Sequence, residues 1–151
     1  MTTLLKHILH PIIGVTVLCL SACALLPQDR ITPKLSALHA EFPHVTYLMT
    51  IDNAANPISN AMVIGLLNVG TGSRDSEQLI KQMSKPDFSL AVFGDGDSLA
   101  AATLARALAD GKEKISPSSS VYFVGAKAYE DTLKAAASEA GVKLAFVVFP
   151  K

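Results

Sequence analysis

Residues 88–111, FSLAVFGDGDSLAAATLARALADG, decide the fold class of this chain. The apolar run from Phe88 to Phe93 predicts a buried strand, because an unbroken apolar run is typical of a strand covered on both faces. Asp97 to Asp110 is rich in alanine and leucine, which predicts a helix, and Gly111 terminates it. A buried strand that leads directly into a helix indicates an α/β fold with a parallel sheet.

The same order repeats toward the carboxyl terminus. Residues 112–119 are predicted to be an exposed loop, 121–124 a strand, 127–140 a helix that stops at Gly141, and 142–149 the closing strand. Because the connections are short, the strands are expected to pair in parallel through right-handed crossovers. We therefore expect one small three-layer α/β domain with a mainly parallel sheet, of Rossmann-like or flavodoxin-like type.

The amino-terminal half carries a weaker pattern. Thr32 and Pro33 have the arrangement of a helix N-cap followed by proline at the first helical position, and Pro43 ends that predicted helix. Val45 to Ile51 alternates in the period of a half-buried strand. Further along, Asp75 to Lys85 has the periodicity of a helix.

One segment between these elements is ambiguous. The apolar run from Ala61 to Val69 is compatible with a buried strand, or with a short helix that starts at Asn56 and Pro57. We favour the strand. The pattern leaves open an antiparallel amino-terminal hairpin within residues 52–69.

The first residues of the chain have the parts of a secretory signal. Lys6 is the only positive side chain before an apolar stretch from Ile12 to Leu20, and small residues follow. Leu20-Ser21-Ala22-Cys23 resembles the lipobox of bacterial lipoproteins. The resemblance implies that residues 1–22 are a signal peptide that is removed and that Cys23 receives a diacylglyceryl group and an acyl chain.

The alternative interpretation is an uncleaved membrane-spanning helix. The fifteen residues from Ile12 to Leu26 carry no charge, and Pro11 and His10 precede them, whereas a spanning helix needs about 20 apolar residues. Lipidation is therefore favoured, and two or more acyl chains give stable attachment to a bilayer. Ala24 stands where enteric lipoproteins retained in the inner membrane have Asp, so the resemblance implies the outer membrane, facing the periplasm.

This reading divides the chain into three parts. Residues 1–22 are the signal peptide, residues 23–32 are the lipidated cysteine and a tether of about 30 Å at full extension, and residues 33–151 are a single α/β domain. Cys19 leaves with the signal and Cys23 is lipidated, so no cysteine remains for a disulfide. The bilayer is the first expected partner, and another envelope protein is the second.

Composition argues against several other functions. Without Lys6 the mature chain has 12 basic and 13 acidic side chains, a balance that gives no electrostatic footprint for nucleic acid. The mature histidines are His39 and His44, and no metal-binding pattern such as His-Glu-x-x-His occurs. We therefore expect no metal and no cofactor.

Three turns that follow predicted strands form the best candidate for a ligand site. Ligands of such sheets bind beyond the carboxyl ends of the strands. Glycine, aspartate and serine are also what turns and helix N-caps require, so a purely structural role is the competing and favoured interpretation. The candidate residues are Gly70, Gly72, Ser73, Asp95, Asp97, Ser98, Gly125 and Lys127.

The turn after the strand at residues 88–93 resembles motifs of two enzyme families. Gly96-Asp97-Ser98-Leu99 resembles the nucleophile block of the GDSL hydrolases, which implies Ser98 as the nucleophile. However, no histidine follows His44 to act as its base. Asp95-Gly96-Asp97 is similar to the Asp-x-Asp motif of haloacid-dehalogenase-type phosphatases, but the Gly-Thr that usually follows is absent.

The sequence thus predicts a membrane-anchored envelope lipoprotein whose small α/β domain is a non-enzymatic binding or assembly module. The alternative is a hydrolase or small-ligand-binding protein that uses the sheet edge formed by residues 94–98 and 125–127.

Overall fold

The structure is a computed structural model that describes residues 28–45 and 47–149. The predicted signal peptide, Cys23 and residues 24–27 of the predicted tether lie outside the described residues. The strands are β1 (Tyr47–Ile51), β2 (Ser89–Gly94), β3 (Ser120–Gly125) and β4 (Lys143–Val148). The helices are α1 (Gln28–Glu41), α2 (Pro57–Asn68), α3 (Arg74–Met83), α4 (Asp97–Asp110) and α5 (Glu130–Glu139), with a 3₁₀ turn (Lys127–Tyr129) before α5.

The sheet has the order β1-β2-β3-β4, and every pair in it is parallel. Met49 lies beside Val92, Val92 beside Phe123, and Phe123 beside Phe146. The parallel α/β fold predicted from residues 88–111 is therefore confirmed. The hairpin that the sequence left open within residues 52–69 is wrong, because all four strands of the described chain run in one direction.

The strand order also fixes the three layers. When strands follow the chain order, successive right-handed crossovers place their helices on the same face of the sheet. Accordingly α4 packs against α2, α3 and α5 on one face of the sheet. On the opposite face α1 contacts β2, β3 and β4. The order differs from the Rossmann and flavodoxin orders, which reverse direction in the sheet and so create a binding crevice.

Alternate residues of the strands enter two separate apolar clusters. Leu90 and Val92 of β2 belong to the cluster under α2–α5. Ala91 and Phe93 of the same strand belong to the cluster under α1. Because both faces are covered, the strand reads as a continuous apolar run, which is why its position was predictable.

The amino-terminal helix differs from the prediction. Thr32 was expected to be the N-cap, but α1 already includes Gln28, and Pro33 lies inside it. Residues 28–32 are therefore helical and are not part of an extended tether. Pro33 lies in the second turn, so it removes the hydrogen bond that its amide would have donated to the carbonyl of residue 29. Ile31 and Leu35 pack against the cluster under α1, which stabilises both sides of the proline.

The predicted strand at residues 61–69 is wrong, and the helix that was its alternative is present as α2. Asn56 is the N-cap, and its side chain accepts a hydrogen bond from the Ser59 amide at 2.9 Å. Pro57 occupies the first helical position, where its missing donor costs nothing. The run resembles a buried strand because α2 carries apolar residues on its exposed side as well as on its packed side.

Candidate functional site

The carboxyl ends of β1, β2 and β3 bring two of the three predicted turns together. Asp95 and Asp97 follow β2, and Gly125 ends β3 beside the Asp97 carboxylate. The third turn lies elsewhere, because residues 70–73 connect α2 to α3 and follow no strand.

Gly70, Gly72 and Ser73 are therefore not part of this edge, contrary to the prediction. Gly72 lies near the Asp110 carboxylate at the end of α4, which is about 20 Å along the helix from Asp97 at 1.5 Å per residue. Ser73 caps α3: its hydroxyl accepts from the Ser76 amide at 3.1 Å, and Ser76 Oγ accepts from the Ser73 amide at 2.7 Å.

Asp97 is held by groups from two other parts of the fold. One carboxylate oxygen pairs with Lys34 Nζ of α1, and the other accepts a hydrogen bond from the Ala126 amide at 2.8 Å. Lys34 also donates to the Gly94 carbonyl at 2.6 Å and is only 5% exposed. Asp97 and Lys34 thus tie α1, β2, α4 and the loop after β3 into one cluster.

Asp95 ties down the loop that leaves β1. Its carboxylate accepts a hydrogen bond from the Asn53 amide at 2.8 Å. Asn60 Nδ2 donates to Asn53 Oδ1 at 3.1 Å, and Asn60 Oδ1 accepts from the Ala54 amide at 3.2 Å. These bonds fix the start of α2 against the end of β2.

Two glycines at this edge are required by close packing. A Cβ atom on Gly94 would collide with the Ile51 carbonyl oxygen, and one on Gly125 would lie 2.6 Å from the Phe123 ring. Glycine therefore allows β1 and β2 to approach each other at Gly94, and it leaves room for the Phe123 ring and the Asp97 carboxylate beside Gly125. This role explains both residues without a ligand.

The remaining candidates do not assemble a catalytic group. Ser98 is half-buried in the first turn of α4, and Lys127 is exposed on the 3₁₀ turn. Of the described histidines, His39 is exposed on α1, and His44 Nε2 lies 3.0 Å from the Tyr122 hydroxyl. Neither is hydrogen-bonded to Ser98, so the GDSL-like arrangement lacks the base that a serine nucleophile needs. Within residues 28–45 and 47–149, no cluster of His, Cys, Asp and Glu could hold a metal ion.

A groove that the sequence did not indicate lies beside the edge strand β1. Its volume is about 420 Å³, and β1 and α3 form its walls. The Tyr47 ring packs on Phe88 at 4.3 Å between centroids, and Lys85 Nζ lies 5.0 Å from the Phe88 ring centre. The lining residues are Tyr47, Leu48, Met49, Gln78, Gln82, Lys85, Phe88 and Leu90.

A second unexpected surface lies on α2. Four apolar side chains, which we call the α2 stripe, follow one another at helical spacing and are strongly exposed: Ile58 (79%), Met62 (65%), Leu66 (48%) and Val69 (78%). An exposed apolar row of this kind is a feature of surfaces that contact another molecule.

Comparisons of the chain with protein-family models, with curated proteins and with solved structures found no match. Among the helices of the described part of the chain, none is long and apolar enough to cross a membrane.

Proposed function

We propose that this protein is a lipoprotein of the bacterial cell envelope, anchored at the outer membrane through Cys23. Its α/β domain acts as a non-enzymatic binding or assembly module. The observation that carries the proposal is the lipobox-like sequence at residues 20–23, followed closely by a folded domain.

The early start of α1 leaves a short link between the proposed anchor and the domain. Helix α1 includes Gln28, so five residue steps separate it from Cys23. At 3.3–3.6 Å per residue these steps span at most about 18 Å, which is about six tenths of the reach expected from the sequence. A domain on so short a link works beside the membrane surface, where its partners would also lie.

The side-chain contacts support binding over catalysis. Asp95 and Asp97 were the strongest candidates for reactive carboxylates, yet both accept backbone hydrogen bonds and Asp97 also neutralises a buried lysine. The exposed surface is instead apolar along β1 and the α2 stripe. Apolar exposed surface is suited to protein contacts, whereas hydrolysis needs an activated nucleophile.

Lipid labelling of the full-length chain tests the anchor. Cells that express the wild-type protein, Cys23→Ser or Cys19→Ser are grown with an alkyne-labelled fatty acid. We expect label in the wild type and in Cys19→Ser, and none in Cys23→Ser. Cys19 is the matched control because it lies four residues earlier, inside the predicted signal. Label that persists in Cys23→Ser would contradict the proposal.

Fractionation of an enteric host tests the membrane assignment. We expect the wild type with Ala24 in the outer-membrane fraction and Ala24→Asp in the inner-membrane fraction. Ala24→Ser is the control and should behave like the wild type. If all three proteins fractionate together, the assignment to the outer membrane is wrong while the lipid anchor remains testable by labelling.

A further inference from the structure

We propose that two copies of this protein pair through the α2 stripe, with their α2 helices antiparallel across a two-fold axis. The stripe points away from the domain, because Leu67 on the opposite side of α2 is only 3% exposed and belongs to the cluster under α2–α5. Ile58 and Val69, at the two ends of the stripe, are 79% and 78% exposed. An apolar row left in water at helical spacing is suited to packing against another helix.

The exposed side of α2 has the spacing of a coiled-coil seam. Apolar residues three and four positions apart form the line along which two helices interlock. On α2 the steps are four, three and four, and the residues are Ile58, Met62, Gly65 and Val69. All four are exposed, and Leu66 borders this seam on one side. The pattern therefore indicates one helical partner that runs along the full length of α2.

The order of residues in the seam is self-complementary. With the axis midway between Met62 and Gly65, the methionine of each copy lies level with the glycine of the other. The same axis sets Ile58 level with Val69. Gly65 has nothing within 4 Å of an added Cβ atom, so it leaves a hollow for the methionine side chain. A large residue thus faces a small one on both sides of the axis, which allows close packing.

Charge also favours a second copy over other occupants of the stripe. Residues 53–73 contain no charged side chain, so two-fold pairing brings no like charges together along the helix. Antiparallel pairing places each partly positive helix N-terminus beside a partly negative C-terminus. A helix that lies on a bilayer is typically rich in lysine and arginine on its polar face, whereas residues 53–73 contain neither. The stripe is therefore better suited to its own copy than to lipid.

The pairing deepens the proposed function and rests on its lipid anchor. A stable soluble interface buries about 800 Å² on each partner. Helix α2 has 12 residues, and a strip about 18 Å long and about 10 Å wide along it is much smaller. Anchoring both copies in one bilayer raises their effective concentration and compensates for this small area. A two-fold axis along the membrane normal sets both Cys23 anchors at the same height.

Cysteine crosslinking of the full-length protein in its membrane tests the pairing. The two copies of position 62 lie three residue steps apart along the paired helices, which is about 4.5 Å. With helix axes about 8 Å apart, their Cα atoms are about 6 Å apart, within the range for a disulfide. Mild oxidation should therefore convert most of Met62→Cys into a species of twice the monomer mass. The wild type shares Cys19 and Cys23 with this variant and should remain monomeric.

Ile58→Cys is the matched control on the same stripe. Ile58 is more exposed than Met62, so a thiol there is at least as free to react in random collisions. In the antiparallel pair, however, the two copies of position 58 lie eleven residue steps apart, which is about 16 Å. Ile58→Cys should therefore remain monomeric. Differently tagged copies that carry Ile58→Cys and Val69→Cys should crosslink to each other when expressed together, because these positions lie level.

The outcomes separate the second copy from other occupants and from the anchor. A monomer in Met62→Cys overturns the pairing, and it is the result expected if the stripe faces lipid. A crosslinked product that contains a different protein overturns it as well. Equal crosslinking of Ile58→Cys and Met62→Cys overturns the antiparallel arrangement. Fatty-acid labelling of the same proteins reports on Cys23, so loss of the anchor is distinguished from loss of the pairing.

Exchanging side-chain size at positions 62 and 65 tests the packing, with the mixed dimer of Ile58→Cys and Val69→Cys as the reporter. Gly65→Leu in both copies fills the hollow opposite Met62 and should lower the mixed-dimer yield about tenfold. The single chain has space for this side chain, and leucine favours helix, so the fold is not weakened. Adding Met62→Ala again sets a small residue opposite a large one and should recover the yield. Equal yields in all three proteins, or a loss that Met62→Ala does not repair, would overturn the register.

Discussion

At the carboxyl edge of the sheet the sequence suggests a binding site and the structure shows none free, whereas at the outer edge of β1 the sequence suggests nothing and the structure shows exposed apolar surface. The carboxyl edge carries glycines, aspartates and a lysine, which in a sequence suggest a ligand site. In the structure Asp95, Asp97 and Lys34 bond to other parts of the same chain. The outer edge of β1 has no polar motif, yet it exposes Tyr47 and Leu48, and no strand of residues 47–149 pairs with it.

The difference shows that residue type alone does not identify a surface that is free to bind a partner. What matters is whether its side chains are already bonded within the chain. Among the described residues, no buried side-chain nitrogen or oxygen lacks a hydrogen-bond partner. The described part of the carboxyl edge therefore holds no buried side-chain nitrogen or oxygen that needs a ligand as its hydrogen-bond partner. The β1 edge and the α2 stripe, by contrast, leave apolar area in water that a partner could cover.

Replacing Asp97 should cause the largest loss of unfolding free energy. A small loss would contradict the structural role given to the carboxyl edge. Asp97→Ala leaves Lys34 charged and buried without a counter-ion, and it removes the acceptor of the Ala126 amide. Loss of one partner of a buried pair costs about 3–5 kcal/mol of unfolding free energy. Urea denaturation measures the loss.

Asp110→Ala is the matched control for Asp97→Ala. Asp110 pairs with Arg106 one turn earlier on the surface of α4, and exposed pairs contribute about 1 kcal/mol or less. Replacing both buried partners, as in Lys34→Met with Asp97→Leu, should cost less than Asp97→Ala alone, because no unpaired charge remains. A double variant as unstable as the single one would mean that the ion pair itself, and not the orphaned charge, matters.

Two glycine substitutions should sharpen the comparison with smaller effects of opposite sign. Gly94→Ala forces a methyl group against the Ile51 carbonyl and should destabilise the fold by about 1–3 kcal/mol. Gly65 lies within α2 with nothing within 4 Å of an added Cβ atom. Gly65→Ala should therefore stabilise by about 0.5–1 kcal/mol, because alanine favours helix. Thermal and urea unfolding of the two variants would show whether the edge tolerates as little change as its packing indicates.

The sequence predicted the fold best where local and tertiary signals agree. From Phe88 onward each strand is covered on both faces and each helix ends at a glycine or a short turn, so the observed elements lie close to their predicted positions. The residues 61–69 were misassigned because their apolar run has two physical explanations. Burial on both faces of a strand is one, and an exposed apolar row on a helix is the other.

The candidate site was predictable only in part. The adjacency of the turns after β2 and β3 follows from parallel topology, and the structure shows it. The partner of Asp97 could not be predicted, because Lys34 lies 63 positions earlier and arrives through the packing of α1 on the far face. Likewise, nothing in YLMTI distinguishes an edge strand from a central one, since strand order is a property of the whole sheet.

The exposed ion pair between Lys112 and Glu139 should contribute the least to stability of the pairs compared here. Lys112 Nζ donates to Glu139 Oε2 at 2.8 Å, and this hydrogen bond, together with the lysine charge, lowers the pKa of Glu139. A lowered pKa stabilises the folded state above the unfolded pKa of about 4.3. That contribution disappears as the pH falls through the lowered value.

In urea denaturation Glu139→Gln should therefore be slightly less stable than the wild type at pH 7, and the difference should be smaller at pH 3. Lys134→Gln is a suitable control, because it removes a similar exposed pair with Glu130 on the same helix. A loss at pH 7 as large as that of Asp97→Ala would mean that exposure does not separate weak pairs from strong ones in this protein. The buried pair of Lys34 and Asp97 would then not contribute more to stability than an exposed pair.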